Sequence, residues 1–400
     1  MRRKQGMVTP NPEAWMARAL RLARHGYYTA HPNPCVGCVL VKRQTVVGEG
    51  YHARAGEPHA EIHALRAAGE AARGATAYVT LEPCSHHGRT GPCAEALIEA
   101  GVKRVVIALS DPNPQVAGRG MKMLREAGID VECGVLENDA RELNRGFLSR
   151  MHRGRPFVCL KMAMSLDGRT AMASGESQWI TGPCARSEVQ RLRARSGAVI
   201  SGVDSVIADD SRLTVRADQL DLPDAETIAG RQPLRVIVDS RLRLPLAAKC
   251  LRQPGRTLVA TCSCDAERRQ RLEAQGAEVV CLPSAPDGRV EPGALLEYLA
   301  NAEDINEALL ETGATLAGAM LDGGWVDEMV LFVAPTLLGG TARPLFELPG
   351  LVRMSQQKPL DITDIRALGQ DWRIIAIPHS RRLQATDTQE TGAQPSTKVP

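Results

Sequence analysis

The sequence predicts an α/β protein built as two units, and three observations carry that reading. Strand-like apolar runs alternate with helical segments over short links as far as residue 145. A chain of 400 residues exceeds what one ordinary core serves. A basic stretch, "LNRGFLSRMHRGRP" (143–156), ends in Gly-Arg-Pro where the first layer closes. The expected boundaries are a loose arm over 1–10, a first domain over 11–148, a basic linker over 149–155, a second domain over 156–379 and a tail over 380–400. The tail has almost no apolar content and should be disordered.

Each element has a local reason. A helix should follow the arm, with Ala14, Ala17, Leu20, Leu22 and Ala23 as its apolar face. "CVGCVLV" and "TVVGEGYH" read as two strands of a hairpin. "PHAEIHALRAAGEAA" reads as a helix with Pro58 at its first position. "ATAYVTLEP" is a strand, "GPCAEALIEAG" a helix stopped by glycine, "VKRVVIALSDP" a strand and "GRGMKMLREAG" a helix. Beyond the boundary, "FVCLKMAMS", "GAVISG", "LRVIVDS", "TLVATC", "AEVVCLP", "VDEMVLFVAP" and "WRIIAIP" read as strands. "CARSEVQRLRARS" is a helix, and "INEALLETG" leads into another at "ATLAGAML". No repeat links the halves.

Composition excludes several function classes. Aromatic residues make up 3%, too few for a platform on which single-stranded nucleic acid stacks. The formal charge of +3 is near balance, so any pull on anions must come from local patches. No apolar run approaches membrane-spanning length, and the first residues have no apolar signal core. A cytoplasmic protein is the expectation. The eleven cysteines agree, because an odd, scattered set in a long chain points to metal or catalysis rather than disulfides.

Three pieces of the first unit carry chemistry: "PHAE" at 58–61, Cys84 and Cys93. Zinc deaminases pair a His-x-Glu with a Pro-Cys and a second cysteine. His59, Cys84 and Cys93 would supply one imidazole and two thiolates to Zn2+, leaving the fourth position to water. Glu61 would then move the proton from water to the substrate. Eight residues separate the cysteines, and the loop holds His86, His87 and Arg89. A closed structural site of His59, Cys84, Cys93 and one loop histidine is the competing reading. Glu61 argues against it, because a structural site needs no carboxylate there. His86, His87 and Arg89 are then candidates to face the substrate. Cys35 and Cys38, a CxxC at the entry of an apolar strand, read as packing. Cys262 and Cys264 read as inert, and His63 as packing or support.

Four stretches, "HPNPCVG", "GEGYHARAGEPHAEIHAL", "VTLEPCSHHGRTGPC" and "DPNPQVAGRG", resemble the bifunctional riboflavin-biosynthesis family, in which a pyrimidine deaminase is joined to a reductase. The second unit matches through "LKMAMSLDGRTAMASGESQWITG", "LRARSGAVISGVDSVIADDSRLTVR" and "LLETGATLAGAML". The resemblance covers roughly residues 12–378, and the family also has the longer gap between cysteines. It implies a cytidine-deaminase-like α/β/α sandwich followed by a dihydrofolate-reductase-like α/β domain. The first would remove the 2-amino group of a diaminopyrimidinone ribosylamine 5'-phosphate. The second would reduce the ribosyl group to ribityl with NADPH. Partners would be this small phosphorylated pyrimidine and further copies of the chain, with no nucleic acid and no membrane.

By the same resemblance Asn33 and His52 touch the pyrimidine, and Asp111 and Asn113 help at the ribose or phosphate. Ala163, Trp179, Ser205, Asp209 and the run Gly313, Ala314, Thr315, Leu316, Ala317, Gly318 and Ala319 line the dinucleotide. Ser177, Arg193, Leu213, Arg216 and Glu311 hold the substrate. Arg193 and Arg216 suit a phosphate dianion, since a guanidinium fork pairs two oxygens. The residues alone say less here, because no Gly-x-Gly-x-x-Gly follows a strand. "ETGATLAG" does open a helix with small residues, which leaves amides for a phosphate. Two positions differ from the family pattern: Ser211 stands where proline is common, and Thr312 where a small residue is usual. An RNA-editing deaminase with an appended RNA-binding module is the alternative, and it would need a basic face with aromatics.

Overall fold

A computed structural model describes residues 11–85, 91–113, 117–177 and 179–379. The expected arm over 1–10, the loop residues His86, His87 and Arg89, and the tail over 380–400 lie outside the described residues. The chain divides into two compact units, residues 1–155 and 156–400.

The first unit is a three-layer sandwich. Its elements run α1 (Pro12–Ala23), β1 (Gly37–Lys42), β2 (Thr45–Tyr51), α2 (Ala60–Ala68), β3 (Thr76–Val79) and α3 (Cys93–Glu99). They continue with β4 (Arg104–Ile107), α4 (Arg119–Glu126), β5 (Asp130–Cys133), α5 (Glu137–Leu143) and α6 (Arg145–Arg153). The sheet order is β2-β1-β3-β4-β5, antiparallel from β2 to β3 and parallel beyond. Arg43 and Gln44 both take positive φ, as the tight β1–β2 hairpin requires. Leu40, Val79 and Ile107 face a cluster with Ala64, Leu97 and Leu124 from α2, α3 and α4. Val39, Tyr78 and Val106 face the opposite cluster, with Met16, Ala140 and Phe147 from α1, α5 and α6.

Several local expectations shift. The buried face of α1 is Met16, Ala19, Leu20 and Ala23, one step round from the expected stripe, and Ala14 is exposed. Helix α2 starts at Ala60 with His59 as its N-cap, so Pro58 precedes the helix. The segment expected as a basic linker is helical through Arg153, because Phe147 and Leu148 are buried and Met151 packs beside them while His152 and Arg153 are exposed.

The second unit holds β6 (Phe157–Ser165), β7 (Arg169–Ala171), α7 (Pro183–Arg195), β8 (Ala198–Gly202), α8 (Val203–Asp209), α9 (Ala225–Ala229), β9 (Leu234–Val238) and β10 (Thr257–Thr261). After these come α10 (Ala266–Glu273), β11 (Glu278–Cys281), α11 (Pro292–Asn301), β12 (Glu307–Glu311), α12 (Ala314–Asp322), β13 (Glu328–Ala334), β14 (Arg343–Pro344), β15 (Leu360–Leu368) and β16 (Asp371–Pro378). Nine strands form one sheet in the order β11-β10-β9-β8-β12-β6-β13-β16-β15. Pairing is parallel from β11 to β13, and antiparallel at β16 and β15. Such a sheet needs both faces covered. Leu296, Leu299, Ala317 and Met320 of α11 and α12 cover one face. Val189, Leu192, Val206 and Leu272 of α7, α8 and α10 cover the other. The chain runs outward from β8 to β11, then returns to β12 and β13 on either side of β6. Ligands of open α/β sheets bind at the carboxyl ends of strands at such a reversal.

Candidate functional site

In the first unit, two helix starts bring the ligand atoms together. His59 is the N-cap of α2 with extended backbone, and Cys93 is the first residue of α3. His59 Nδ1 lies 3.3 Å from Cys93 Sγ and 3.6 Å from Cys84 Sγ, and the three ligand atoms fall within 4.8 Å of one another. Among the described residues this is the group of His, Cys, Asp and Glu with metal-binding geometry. The Cys93 amide donates to Cys84 Sγ at 3.3 Å, and the Ala94 amide to the Cys84 carbonyl at 3.2 Å. Helix α3 thus turns its first amides on Cys84, which favours a thiolate there. The Cys93 thiol, His59 and the Cys93 amide hold the Cys84 sulfur well below the ordinary thiol range, while the Cys84 thiolate and burial push Cys93 up.

Glu61 stands in the first turn of α2, 3% exposed. Burial, then the Cys84 sulfur, pushes its carboxyl up to about 7, and His59 works against them. Its Oε2 is buried with no hydrogen-bond partner. A buried, unpaired carboxylate oxygen beside one imidazole and two sulfurs is what a zinc and its water would satisfy, so the residues fit that metal.

Asn33 and His52 form the adjoining wall. Asn33 Nδ2 donates to His52 Nε2 at 2.9 Å, His52 Nδ1 lies 3.3 Å from the Pro58 carbonyl, and the His52 ring meets His59 edge-on at 5.3 Å. Cys38 is fully buried beside Glu61, which raises its thiol further above the range that burial alone sets. His63 keeps a buried Nε2 without a partner. Asp111 is buried, and its Oδ1 accepts from the Asn113 amide at 2.8 Å.

Sequence reading missed Glu82, which sits inside the motif "EPC". Its Oε2 accepts from the Asp111 and Gly118 amides at 3.2 and 3.1 Å, and its Oε1 from the Met121 amide at 3.2 Å. One buried carboxylate therefore ties both ends of the loop ahead of α4. The signal was present as a glutamate between a strand and a ligand, but its partners lie 29 to 39 residues away.

In the second unit the polar residues gather at the carboxyl ends of the strands. Glu311 ends β12, and Arg193 of α7 grips it with Nε to Oε1 at 2.5 Å and Nη2 to Oε2 at 2.9 Å. Arg193 Nη1 donates to the Thr214 carbonyl at 2.9 Å, so its fork is committed inside the protein. Lys161 Nζ lies 3.9 Å from Glu311 Oε2. Burial pushes Lys161 down, whereas Arg193 overcomes burial to hold Glu311 below the ordinary range. Arg216 is different: its Nε is buried without a partner, and burial with Arg193 nearby lowers its guanidinium. Lys161 was not foreseen, because it reads as one polar break in an apolar strand.

Ser177 donates to Asp209 Oδ1 at 3.2 Å, and the Gly313 amide donates to Ser205 Oγ at 2.9 Å. Trp179, 68% exposed, lies under the Arg186 guanidinium at 4.8 Å. Ala163 is half-buried on β6, and Leu213 is buried with positive φ. No side chain caps α12, and Gly313 and Thr315 are exposed at its start, a surface that fits a cofactor diphosphate. Further along, Ala317 and Gly318 turn into the core: a Cβ on Gly318 would sit 2.0 Å from the Glu347 carbonyl oxygen. Leu316 packs at the core edge and Ala319 is exposed, so the first turn is the main surface a dinucleotide could meet. Thr312 has its own work, accepting the Gly202 amide on Oγ1 at 3.1 Å.

The model of the cytidine and deoxycytidylate deaminase zinc-binding region matches residues 9–109, and that of the RibD C-terminal domain matches residues 156–374. The riboflavin biosynthesis protein RibD of Escherichia coli is 51% identical over 364 residues, covering 90% of this chain and 97% of that protein. The chain belongs to the RibD family. The RibD of Bacillus amyloliquefaciens is 42% identical over 92% of this chain and 96% of its own length. A solved structure of Acinetobacter baumannii RibD matches with a TM-score of 0.84 at 51% identity, covering 92% of this chain and 98% of that one. The deaminase/reductase of Thermotoga maritima matches with a TM-score of 0.79 at 33% identity over the same shares. As a RibD protein the chain is a hydrolytic deaminase and a reductase of riboflavin biosynthesis, with Zn2+ and NADPH as cofactors. The RNA-editing alternative finds no support in these matches.

Proposed function

We propose that His59, Cys84 and Cys93 hold the zinc, that Glu61 is the proton carrier of deamination, and that the Glu311 network with Arg216 and α12 forms the reductase site. The observation that carries the first part is the three-ligand triangle with the buried, unpartnered Oε2 of Glu61 beside it. Zinc, when bound, supplies a Lewis acid that makes water nucleophilic near neutral pH. Water oxygen then bonds to the carbon bearing the 2-amino group, and that carbon loses ammonia. Glu61 takes one proton from water and gives it to the ring nitrogen, then moves the remaining hydroxyl proton to the amine as the C–N bond breaks and the C=O bond closes. Asn33 and His52 hold the pyrimidine against this centre, and Asp111 and Asn113 lie on the sugar-phosphate side.

In the reductase, NADPH supplies hydride, and the chain's work is positioning. Arg216, with a buried donor left over, takes the substrate phosphate. Glu311, held by Arg193 and Lys161, accepts from the sugar, with Ser177 and Leu213 on the same wall. Ala314 and Thr315 present amides to the dinucleotide beside Gly313, whose own amide is held by Ser205 Oγ, with Ala163, Trp179 and Asp209 around it. Cytoplasmic location and a homo-oligomer complete the proposal. The odd, scattered set of eleven cysteines in a long chain supports the first. Support for the second is the exposure of Ile362, Ile365 and Trp372 on the β15–β16 hairpin, and light scattering at the monomer mass would reject it.

Glu61→Gln tests the central assignment, because it keeps shape and removes the charge that accepts a proton. Ammonia release should fall about 10²- to 10⁴-fold, while zinc content and NADPH oxidation with deaminated intermediate stay intact. Ammonia release at the wild-type rate would remove Glu61 from the chemistry.

A further inference from the structure

An asparagine at a helix N-cap ordinarily accepts from the first amides of its own helix. Asn144 is the N-cap of α6 and makes no such side-chain bond. Its side chain, 3% exposed, reaches back 109 residues to Cys35 instead. Oδ1 accepts from the Cys35 amide at 2.8 Å, and Nδ2 donates to the Cys35 carbonyl at 3.0 Å. Holding one residue by both its backbone groups takes a side chain with a donor and an acceptor side by side, as a carboxamide has. Leu143, next to Asn144, packs on the same small cluster of Ala23, Ala30 and Cys35.

The gripped residue lies two positions after Asn33, and Asn33 is itself fixed by its amide on the Ala30 carbonyl at 2.9 Å. From Asn33 the contact passes to His52 at 2.9 Å, and His52 packs on the ligand His59. We propose that Asn144 is a positioning residue of the deaminase: it holds the 31–36 loop at the height at which Asn33 meets the substrate pyrimidine. Asn144 touches neither metal nor substrate. It sits at the α5–α6 joint, so these two helices take part in deamination through one side chain. The proposal rests on the assignment of Asn33 to the pyrimidine.

The test uses the full chain with the diaminopyrimidinone ribosylamine phosphate, and ammonia release by wild type under the same conditions secures the deaminase reading separately. Asn144→Ala should raise KM for deamination about tenfold, the effect of two buried bonds lost from one loop, with kcat within about twofold. Zinc content and NADPH oxidation should equal those of wild type. Asn144→Asp, which keeps the size and the acceptor but loses the donor, should also raise KM with zinc retained. In Asn33→Ala/Asn144→Ala, KM should be no higher than in Asn33→Ala alone, because Asn144 acts through Asn33. An unchanged KM in zinc-loaded Asn144→Ala overturns the proposal, as do additive effects in the double variant. Loss of zinc from both Asn144 variants also overturns it, by making Asn144 a residue of the fold. An unchanged KM in Asn33→Ala overturns both the proposal and the assignment of Asn33.

Discussion

Two arginines expected to do the same work have different surroundings. Arg193 gives three nitrogens to Glu311 and Thr214, whereas Arg216 keeps a buried Nε with no partner. A committed, buried ion pair is costly to break from one side, because the other charge is left without compensation. Arg193→Ala should therefore destabilise the reductase unit by about 3–5 kcal/mol, read as a shift in its urea midpoint. Arg216→Ala should leave that midpoint in place and raise the reductase KM at least about tenfold, the scale of a charged hydrogen bond to phosphate. Equal shifts in the two midpoints would mean that both arginines are structural. Thr312 belongs to the same scale. It departs from the family pattern, and its hydroxyl ties the start of α8 to the end of β12 through the Gly202 amide.

Between elements, single carboxylates act as ties. Asp167, after β6, accepts from the Ser165 hydroxyl and from the Leu338 and Gly339 amides beyond β13. These donors hold its carboxyl down at about 2, against an ordinary value of 3.8. The folded value lies below the unfolded one, so the tie is fully present above about pH 4 and is lost as pH falls toward 2. Hydrogen exchange should show the Leu338 and Gly339 amides losing protection across that window. In Asp167→Asn the loss should already be present at pH 5, and protection independent of pH would sink the idea. The elements that sequence reading passed over have a common cause. Strand β15 has the pattern Leu360 to Leu368 with most residues exposed, so no buried face marks it. Strand β5 has no buried residue and helix α5 buries only Ala140, so neither carries an apolar face either.

Over the whole molecule, each unit carries its own core and its own proposed site, and the two chemistries should separate. Removing zinc with a chelator should abolish ammonia release and leave NADPH oxidation of deaminated intermediate unchanged; loss of both activities at once would show that the reductase depends on the metal. Much of this division was legible in the sequence. Alternating strands and helices gave the α/β class, and the three proposed ligands with Glu61 stood in short motifs whose residue types and spacing singled them out as candidates. Local spacing works there because two helix starts carry the groups, and a helix start fixes its own geometry. The tertiary structure decided what depends on distance across the chain. It turned the expected linker into α6, because Phe147 and Leu148 had a core to enter. It also decided which arginine is free, which glutamate ties the loop ahead of α4, and that Asn144 holds Cys35 from 109 residues away. A side chain's chemistry is written at its own position, but its partner is chosen by packing, and packing is set by the whole fold.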